Sequence, residues 1–289
     1  MTKILGINAY HGDAAAALVV DGELVAAVEE ERFNRIKHWA GFPAESIRWC
    51  LREGGVDARE LDHVAVSFNP KANLLPRLRF LIRHWPSPGA IIDRLKRQGK
   101  TLGLEEQLAQ ALGCGAGVMK AQVHRIEHHE THVAAGFLVS PFEEAAVLSV
   151  DGMGDFVSTL TSHARGTGWK NLDHVYFPHS IGLLYETVTK LLGFPHYGDE
   201  YKVMCLAPYG EPEHADVFRR IIYPKDDLFE LNLDYFTHHK TGVRVVWDEG
   251  SHSVMPFHSE KLAKELGPMR KKGEEMTPKH DNIARSLQA

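Results

Sequence analysis

Short apolar runs punctuated by turn residues organise the first part of the chain. KILGIN (3–8), AAAALVV (14–20) and ELVAAVEE (23–30) read as three strands, and Asp21-Gly22 is the tight turn that joins the last two into an antiparallel meander. The pattern turns helical in PAESIRWCLREGG (43–55), with Pro43 in its first turn and Gly54-Gly55 as its stop. DHVAVSF (62–68) follows as a buried strand, giving the order βββαβ.

The same order then restarts. A strand, QVHRIEH (122–128), leads into a histidine-bearing helix, after which AAVLSVDG (145–152), FVSTLTSHA (156–164) and LDHVYFP (172–178) predict three strands and SIGLLYETVTKLLG (180–193) a helix. Two tandem meander-plus-helix units predict two related α/β lobes, 1–143 and 144–289, with a ligand cleft between them. The repeat is one of architecture, since residue-level similarity between the halves is slight. Beyond residue 200 the pattern predicts a strand at LFELNLDYF (228–236) and helices near 258–266 and 277–289. The last helix opens with Thr277 as N-cap and Pro278 as first residue, but Ile283 and Leu287 imply an apolar face meant to continue against something, so the chain is expected to be a fragment.

Composition narrows the class. With 289 residues, 44% hydrophobic and 25% charged, the chain can build a substantial core, and a formal charge of -5 opposes nucleic-acid binding through overall charge. One stretch runs against that balance. Lys71, Arg77, Arg79, Arg83, Arg94, Lys96, Arg97 and Lys100 face a single acid, Asp93, and are interleaved with apolar residues. They predict amphipathic helices broken at PSPG, a solvated basic insertion near 71–100. No apolar run approaches the roughly 20 residues a membrane span needs, so the reading is a cytoplasmic protein with no membrane partner and no nucleic-acid partner. Cys50, Cys114 and Cys205 are too scattered for a disulfide framework or a thiolate metal cage.

Three segments carry candidate chemistry. The turn Tyr10-His11-Gly12-Asp13 offers a backbone cradle for phosphate beside two proton-handling groups, or it is an ordinary hairpin turn. Asp151-Gly152-Met153-Gly154-Asp155 opens the second lobe similarly, with Gly152, Gly154 and Asp155 as phosphate or ion contacts, or again only as a turn. In the helix between them, His128 and His132 share one face. With Asp151 they make a two-histidine, one-carboxylate set suited to Fe(II), Mn(II) or Zn(II), although surface histidines give the same spacing. His129 and Glu130 point elsewhere on that helix.

Taken together, these segments resemble a known family. HHETHVAA (128–135), DGMGD (151–155) and YGDEYKVMCLAPYG (197–210), with Gly6-Ile7-Asn8, His11-Gly12-Asp13-Ala14, Glu29-Glu30-Glu31-Arg32 and Arg35-Ile36-Lys37-His38, are similar to the NodU/CmcH/TobZ family of O-carbamoyltransferases and occur in that family's order. The resemblance implies an actin, sugar-kinase and Hsp70-like (ribonuclease H-like) two-lobe α/β fold of the Kae1-like type, incomplete at its C-terminus. It also implies a separate YrdC-like domain, in cis or trans, that makes carbamoyl-adenylate from carbamoyl phosphate and ATP. The Kae1-like part then passes the carbamoyl group to a hydroxyl of a small molecule such as a sugar, an antibiotic or a nodulation factor.

Carried over residue by residue, the resemblance makes His128, His132 and Asp151 ligands of a divalent metal, with Fe(II) leading and Mn(II) or Zn(II) as alternatives. It makes His11 the polarising or proton-transferring group, Asp13 the activator of the acceptor hydroxyl, and Lys37 a stabiliser of developing negative charge. Glu186, Gly198 and Glu200 correspond to a ribose-holding region and Lys202 to a phosphate contact, against which Glu186 reads equally as a helix acid and Lys202 as a salt-bridge partner. Cys205 stands where the family has glycine, and would strain the backbone if that position needed a positive φ. Without the YrdC-like half, this chain alone is expected not to carry out the ATP-dependent reaction. Two other readings stand beside this one: a Kae1-type tRNA threonylcarbamoyl transferase, and a catalytically silent nucleotide- or metal-binding domain.

Overall fold

The computed structural model describes residues 1–84, 103–113, 120–243, 245–248, 251–271 and 273–289. The helices expected on either side of PSPG fall largely outside these residues, apart from one that ends at His84. The strands are β1 (Lys3–Asn8), β2 (Ala15–Val20), β3 (Glu23–Glu29), β4 (His63–Val66), β5 (Gln122–Arg125), β6 (Glu144–Gly154), β7 (Val157–Arg165), β8 (Gly168–Tyr176), β9 (Ile222–Lys225), β10 (Leu228–Leu231), β11 (Val245–Asp248) and β12 (Ser251–Val254). The helices are α1 (Glu31–Asn34), α2 (Ala44–Glu53), α3 (Leu74–His84), α4 (Leu104–Ala111), α5 (His128–Phe137), α6 (Ile181–Leu191), α7 (Glu200–Leu206), α8 (Ala215–Ile221), α9 (His238–Thr241), α10 (Glu260–Leu266) and α11 (Pro278–Gln288).

These elements form a mixed α/β protein of two compact units, and both are discontinuous in sequence. Among the described residues, one unit takes those within 1–70, 92–128 and 246–252, and the other those within 71–91, 129–245 and 253–289. This division differs from a single boundary at 143/144. All of the histidine helix except its first residue, together with α3, belongs to the second unit.

The first unit holds a five-stranded sheet ordered β3-β2-β1-β4-β5. β1 pairs antiparallel with β2, whereas β4 lies parallel to β1 and β5 parallel to β4. Asp21 and Gly22 both adopt positive φ (51° and 88°), as a two-residue hairpin needs. Leu5, Ile7, Leu18, Val64 and Val66 alternate onto one buried face, where Ile47 and Cys50 of α2 and Leu104 and Leu108 of α4 complete the core. α2 is anchored at its start by the buried Glu30 carboxylate, which accepts from the Glu45 and Ser46 amides (3.1 and 2.8 Å) and the Ser46 hydroxyl (2.7 Å).

In the second unit β6-β7-β8 form an antiparallel meander, and α6 packs against β6. The core gathers Leu183, Leu184, Val188 and Leu191 of α6 with Val203, Phe218, Leu262 and Ile283. Ile283 is buried and Leu287 packs against the same cluster, so the apolar face of α11 is covered within this unit. The strand expected over 228–236 ends at Leu231, because the Asn232 side chain accepts from the Asp234 amide and starts a 3-10 turn at 233–235.

Candidate functional site

In the first unit, the end of β1 is braced to the turn that follows it. Asn8 donates its side-chain amide to the carbonyls of Gly12 and Asp13 (3.3 and 3.1 Å), and Ser67 donates its hydroxyl to the Asn8 side-chain oxygen (3.0 Å). Tyr10 and Asp13 are held in the left-handed region, with φ of 64° and 60°. That geometry is uncommon for residues other than glycine and marks a turn fixed by its surroundings. His11 stacks on His128, ring centroids 4.9 Å apart, while His128 Nδ1 lies 3.1 Å from the Ser67 carbonyl. A carbonyl only accepts, so His128 Nδ1 carries the proton and Nε2 keeps its lone pair.

The segment after β3 supplies the cationic part of this region. Glu31 is buried and accepts from Lys37 Nζ (2.8 Å), Arg32 (2.7 Å) and the His38 amide (3.0 Å). The Lys37 hydrogen bond, followed by that of the His38 amide, holds the Glu31 carboxyl below the usual carboxylate range. Lys37 is largely exposed and fixed at its tip by Glu31. His38 Nδ1 lies 2.8 Å from Asp13 Oδ1, which brings two of the quoted motifs together.

The histidine helix forms as predicted. His132 Nε2 lies 3.8 Å from Asp151 Oδ2, and the candidate ligand atoms of His128, His132 and Asp151 all fall within 4.8 Å of one another. His128 is the first residue of the same ten-residue helix and stands one turn from His132. The donor set, with His128 oriented through its Nδ1 bond to a carbonyl, fits a divalent transition metal. His129 has a different task. Fully buried, it bridges the Ser149 hydroxyl (2.8 Å) and the Val157 carbonyl (3.0 Å).

Asp151 lies within β6, in keeping with the strand expected over 145–152, and β6 runs on through Gly152 to Gly154 with a register shift after Val150. The start of α6 clamps it. Ser180 accepts from the Leu183 amide (3.0 Å) and donates its hydroxyl toward the carbonyls of Asp151 (3.2 Å) and Gly152 (2.7 Å). Gly182 approaches so closely that a Cβ there would lie 2.7 Å from the Gly152 Cα.

The remaining candidates are more dispersed. Gly12 lies in the braced turn and Gly154 pairs with Val157 across the β6-β7 hairpin. Asp155 is turned inward, its side chain nearly buried 3.6 Å from Arg77 of α3, and its carbonyl accepts from the Asn73 side chain (3.0 Å). Glu186 is buried beside Lys190, 3.3 Å away on α6. Desolvation pushes the carboxyl up and the ammonium down from their ordinary values. Lys202 pairs with Asp199 (2.6 Å), Gly198 supplies a positive φ of 82°, and Glu200 begins α7. Cys205 lies within helical α7 and is exposed, so the feared positive φ does not arise. His38, Glu31 and Asn8 were not singled out for roles from sequence, although each stands in a quoted motif.

The sequence model described as "Carbamoyltransferase N-terminus" matches residues 3–249. This chain belongs to that family. The carbamoyltransferase N-terminal chain is 37% identical over 298 aligned residues to an uncharacterized protein of Synechocystis sp., covering 100% of this chain and 46% of that one. It is 35% identical over 284 residues to the nodulation protein NolNO of Sinorhizobium fredii, covering 97% of this chain and 37% of the relative. It therefore spans less than half the length of these relatives. Among solved structures, YeaZ from Pseudomonas aeruginosa matches with a TM-score of 0.34 and 15% identity over 62% of this chain and 68% of its own. Among the described residues, no helix is long and apolar enough to cross a membrane.

Proposed function

We propose that this chain is the acceptor-side module of a cytoplasmic O-carbamoyltransferase with a Kae1-like, actin-related fold. It takes the carbamoyl group of carbamoyl-adenylate, supplied from ATP and carbamoyl phosphate by a YrdC-like partner in cis or trans, and passes it to a hydroxyl of a small molecule. Family membership supports the reaction class. The observation that carries the site assignment is the convergence of His128, His132 and Asp151 on one divalent-metal donor set.

Carbamoyl-adenylate is a mixed anhydride. As the hydroxyl oxygen bonds to the carbamoyl carbon, the bond from that carbon to the phosphate oxygen breaks, AMP leaves, and the hydroxyl proton must be taken up. Asp13 is the acceptor of that proton, held in place by the Asn8 brace and by His38. His11, kept in orientation by its stack on His128, polarises the carbamoyl carbonyl, and the Lys37 ammonium offsets negative charge as it develops. A divalent ion at His128, His132 and Asp151 would supply neutralising charge for the departing phosphate.

The test is metal analysis of the purified chain and of His132→Ala, followed by calorimetric titration with Mn(II) and with carbamoyl-adenylate. One equivalent of metal in the wild type, lost together with adenylate binding in the variant, supports the reading. Wild-type protein that folds but takes up neither metal nor adenylate refutes it.

A further inference from the structure

The contact between Asp13 and His38 joins two segments that the chain holds together with some effort. The turn 9–14 and the segment 30–41 are zipped by backbone hydrogen bonds from Tyr10 to the Gly41 carbonyl (3.2 Å), from Ala14 to the Trp39 carbonyl (2.8 Å) and from Glu30 to the Ala14 carbonyl (2.8 Å). Four residues other than glycine, namely Tyr10, Asp13, Arg35 and His38, adopt left-handed φ values of 64°, 60°, 62° and 53°. Each such residue is unfavourable outside glycine and persists only where its neighbours over-determine it. The determinant on the second segment is Glu31, which ties down the Lys37 side chain and the His38 amide. This arrangement brings His38 Nδ1 to 2.8 Å from Asp13 Oδ1.

We propose that His38 is a positioning residue for Asp13, its Nδ1–H holding the carboxylate in the orientation that accepts the proton of the attacking hydroxyl. This role rests on the transfer reaction proposed above. An ionised carboxylate can only accept, so the 2.8 Å contact requires the proton on Nδ1. Other catalytic pairs likewise use a fixed hydrogen bond to set the orientation of a proton-transfer group. A metal reading of the same cluster is the competitor, since ligand atoms of Asp13, Glu31 and His38 also lie within 4.8 Å of one another. Glu31, however, is already engaged by Lys37 and Arg32, and two cations at one carboxylate oppose the arrival of a third. The cluster is therefore assigned to proton handling.

The test combines a spectroscopic and a kinetic readout on the whole chain. In histidine-labelled protein, 15N NMR should show His38 protonated at Nδ1, and Asp13→Gly, which suits the left-handed backbone, should abolish that signature. Transfer from carbamoyl-adenylate generated in situ is then followed in three chains. His38→Gly keeps the backbone comfortable but removes the imidazole, and should lower kcat about 10- to 100-fold, the usual loss when an orienting partner is removed, with little change in KM for the acceptor. His38→Asn, which tolerates left-handed φ and places an amide donor near the Nδ1 position, should restore most of that loss. Full activity in His38→Gly, or no rescue by His38→Asn, overturns the proposal. A wild type that shows the NMR pair but transfers nothing sinks the transfer reading instead, and leaves His38 and Asp13 as a structural pair.

Discussion

Gly182 offers a sharp test of how α6 sets the candidate metal site. It is the second residue of α6, and a Cβ built there would lie 2.7 Å from both the Cα and N of Gly152 and 2.8 Å from the Asp151 carbonyl oxygen. All three are backbone atoms and cannot swing aside as a flexible side chain would. In an open helix, Gly→Ala would stabilise by up to about 1 kcal/mol. Here the overlap must be relieved by moving α6 or β6, at about 1–3 kcal/mol. Gly182→Ala should therefore lose about 1–2 kcal/mol net, which at about 2–4 °C per kcal/mol lowers Tm by several degrees. Because the displaced atoms belong to Asp151 and Gly152, the separation of Asp151 from His132, now 3.8 Å, changes too, and Mn(II) affinity should fall with the Tm. Gly136 of α5, with nothing within 4 Å of its added Cβ, is the matched control and should gain about 0.5–1 kcal/mol on conversion to alanine. Thermal melts and Mn(II) titrations of both variants decide the matter. If Gly182→Ala matches Gly136→Ala in either measurement, the close approach does not position Asp151.

Two further predictions concern the interior of the second unit. His238 is fully buried among Phe177, Phe236 and Phe257, donates Nε2–H to the Pro178 carbonyl, and is pulled by burial from 6.5 to about 4, so it stays neutral in the fold while the unfolded chain takes up a proton. Stability from this group is then complete above about pH 7 and is lost as pH falls from 6.5 toward 4, by about 2 kcal/mol at pH 5; His239, also pulled down to about 4, acts in the same direction. Urea midpoints at pH 7 and pH 5 should differ accordingly, and His238→Phe should flatten the dependence; an unchanged slope contradicts this. Glu186→Ala should cost about 3–5 kcal/mol by leaving the buried Lys190 ammonium without its partner, whereas Glu186→Leu with Lys190→Met should be near neutral; equal losses in denaturant unfolding would show that the pair's charges are not what matters there.

What the sequence made legible follows from how local each feature is. The β1-β2-β3 meander, its Asp21-Gly22 turn, α2 and the β6-β7-β8 meander are written in alternation, turn residues and caps, all of which act over a few positions. The His128/His132 pair was equally visible, since helix periodicity alone puts these residues on one face. Pairings between distant segments were not. Asp155 looked like a phosphate contact because its partner, Arg77, lies in a different part of the chain, and His38 meets Asp13 only once α1 and its left-handed exit have folded back. Glu186 and Lys190 stand at i and i+4, but that spacing does not say whether the helix face is wet or buried. α4 went unread. Its leucines 104 and 108 are buried in the first-unit core, while the chain before it is dominated by the basic run.

The proposed reaction moves a carbamoyl group from carbamoyl-adenylate to a hydroxyl. The direct measurement supplies Mn(II)- or Fe(II)-loaded chain with carbamoyl-adenylate, generated in situ by a separate YrdC-like enzyme from ATP and labelled carbamoyl phosphate, together with a panel of sugars. Label recovered in a carbamate ester, AMP released in equal amount, and loss of both in Asp13→Asn are the predicted result. Carbamoyl-adenylate that disappears no faster with the chain than without it, with no labelled ester formed, would contradict the account.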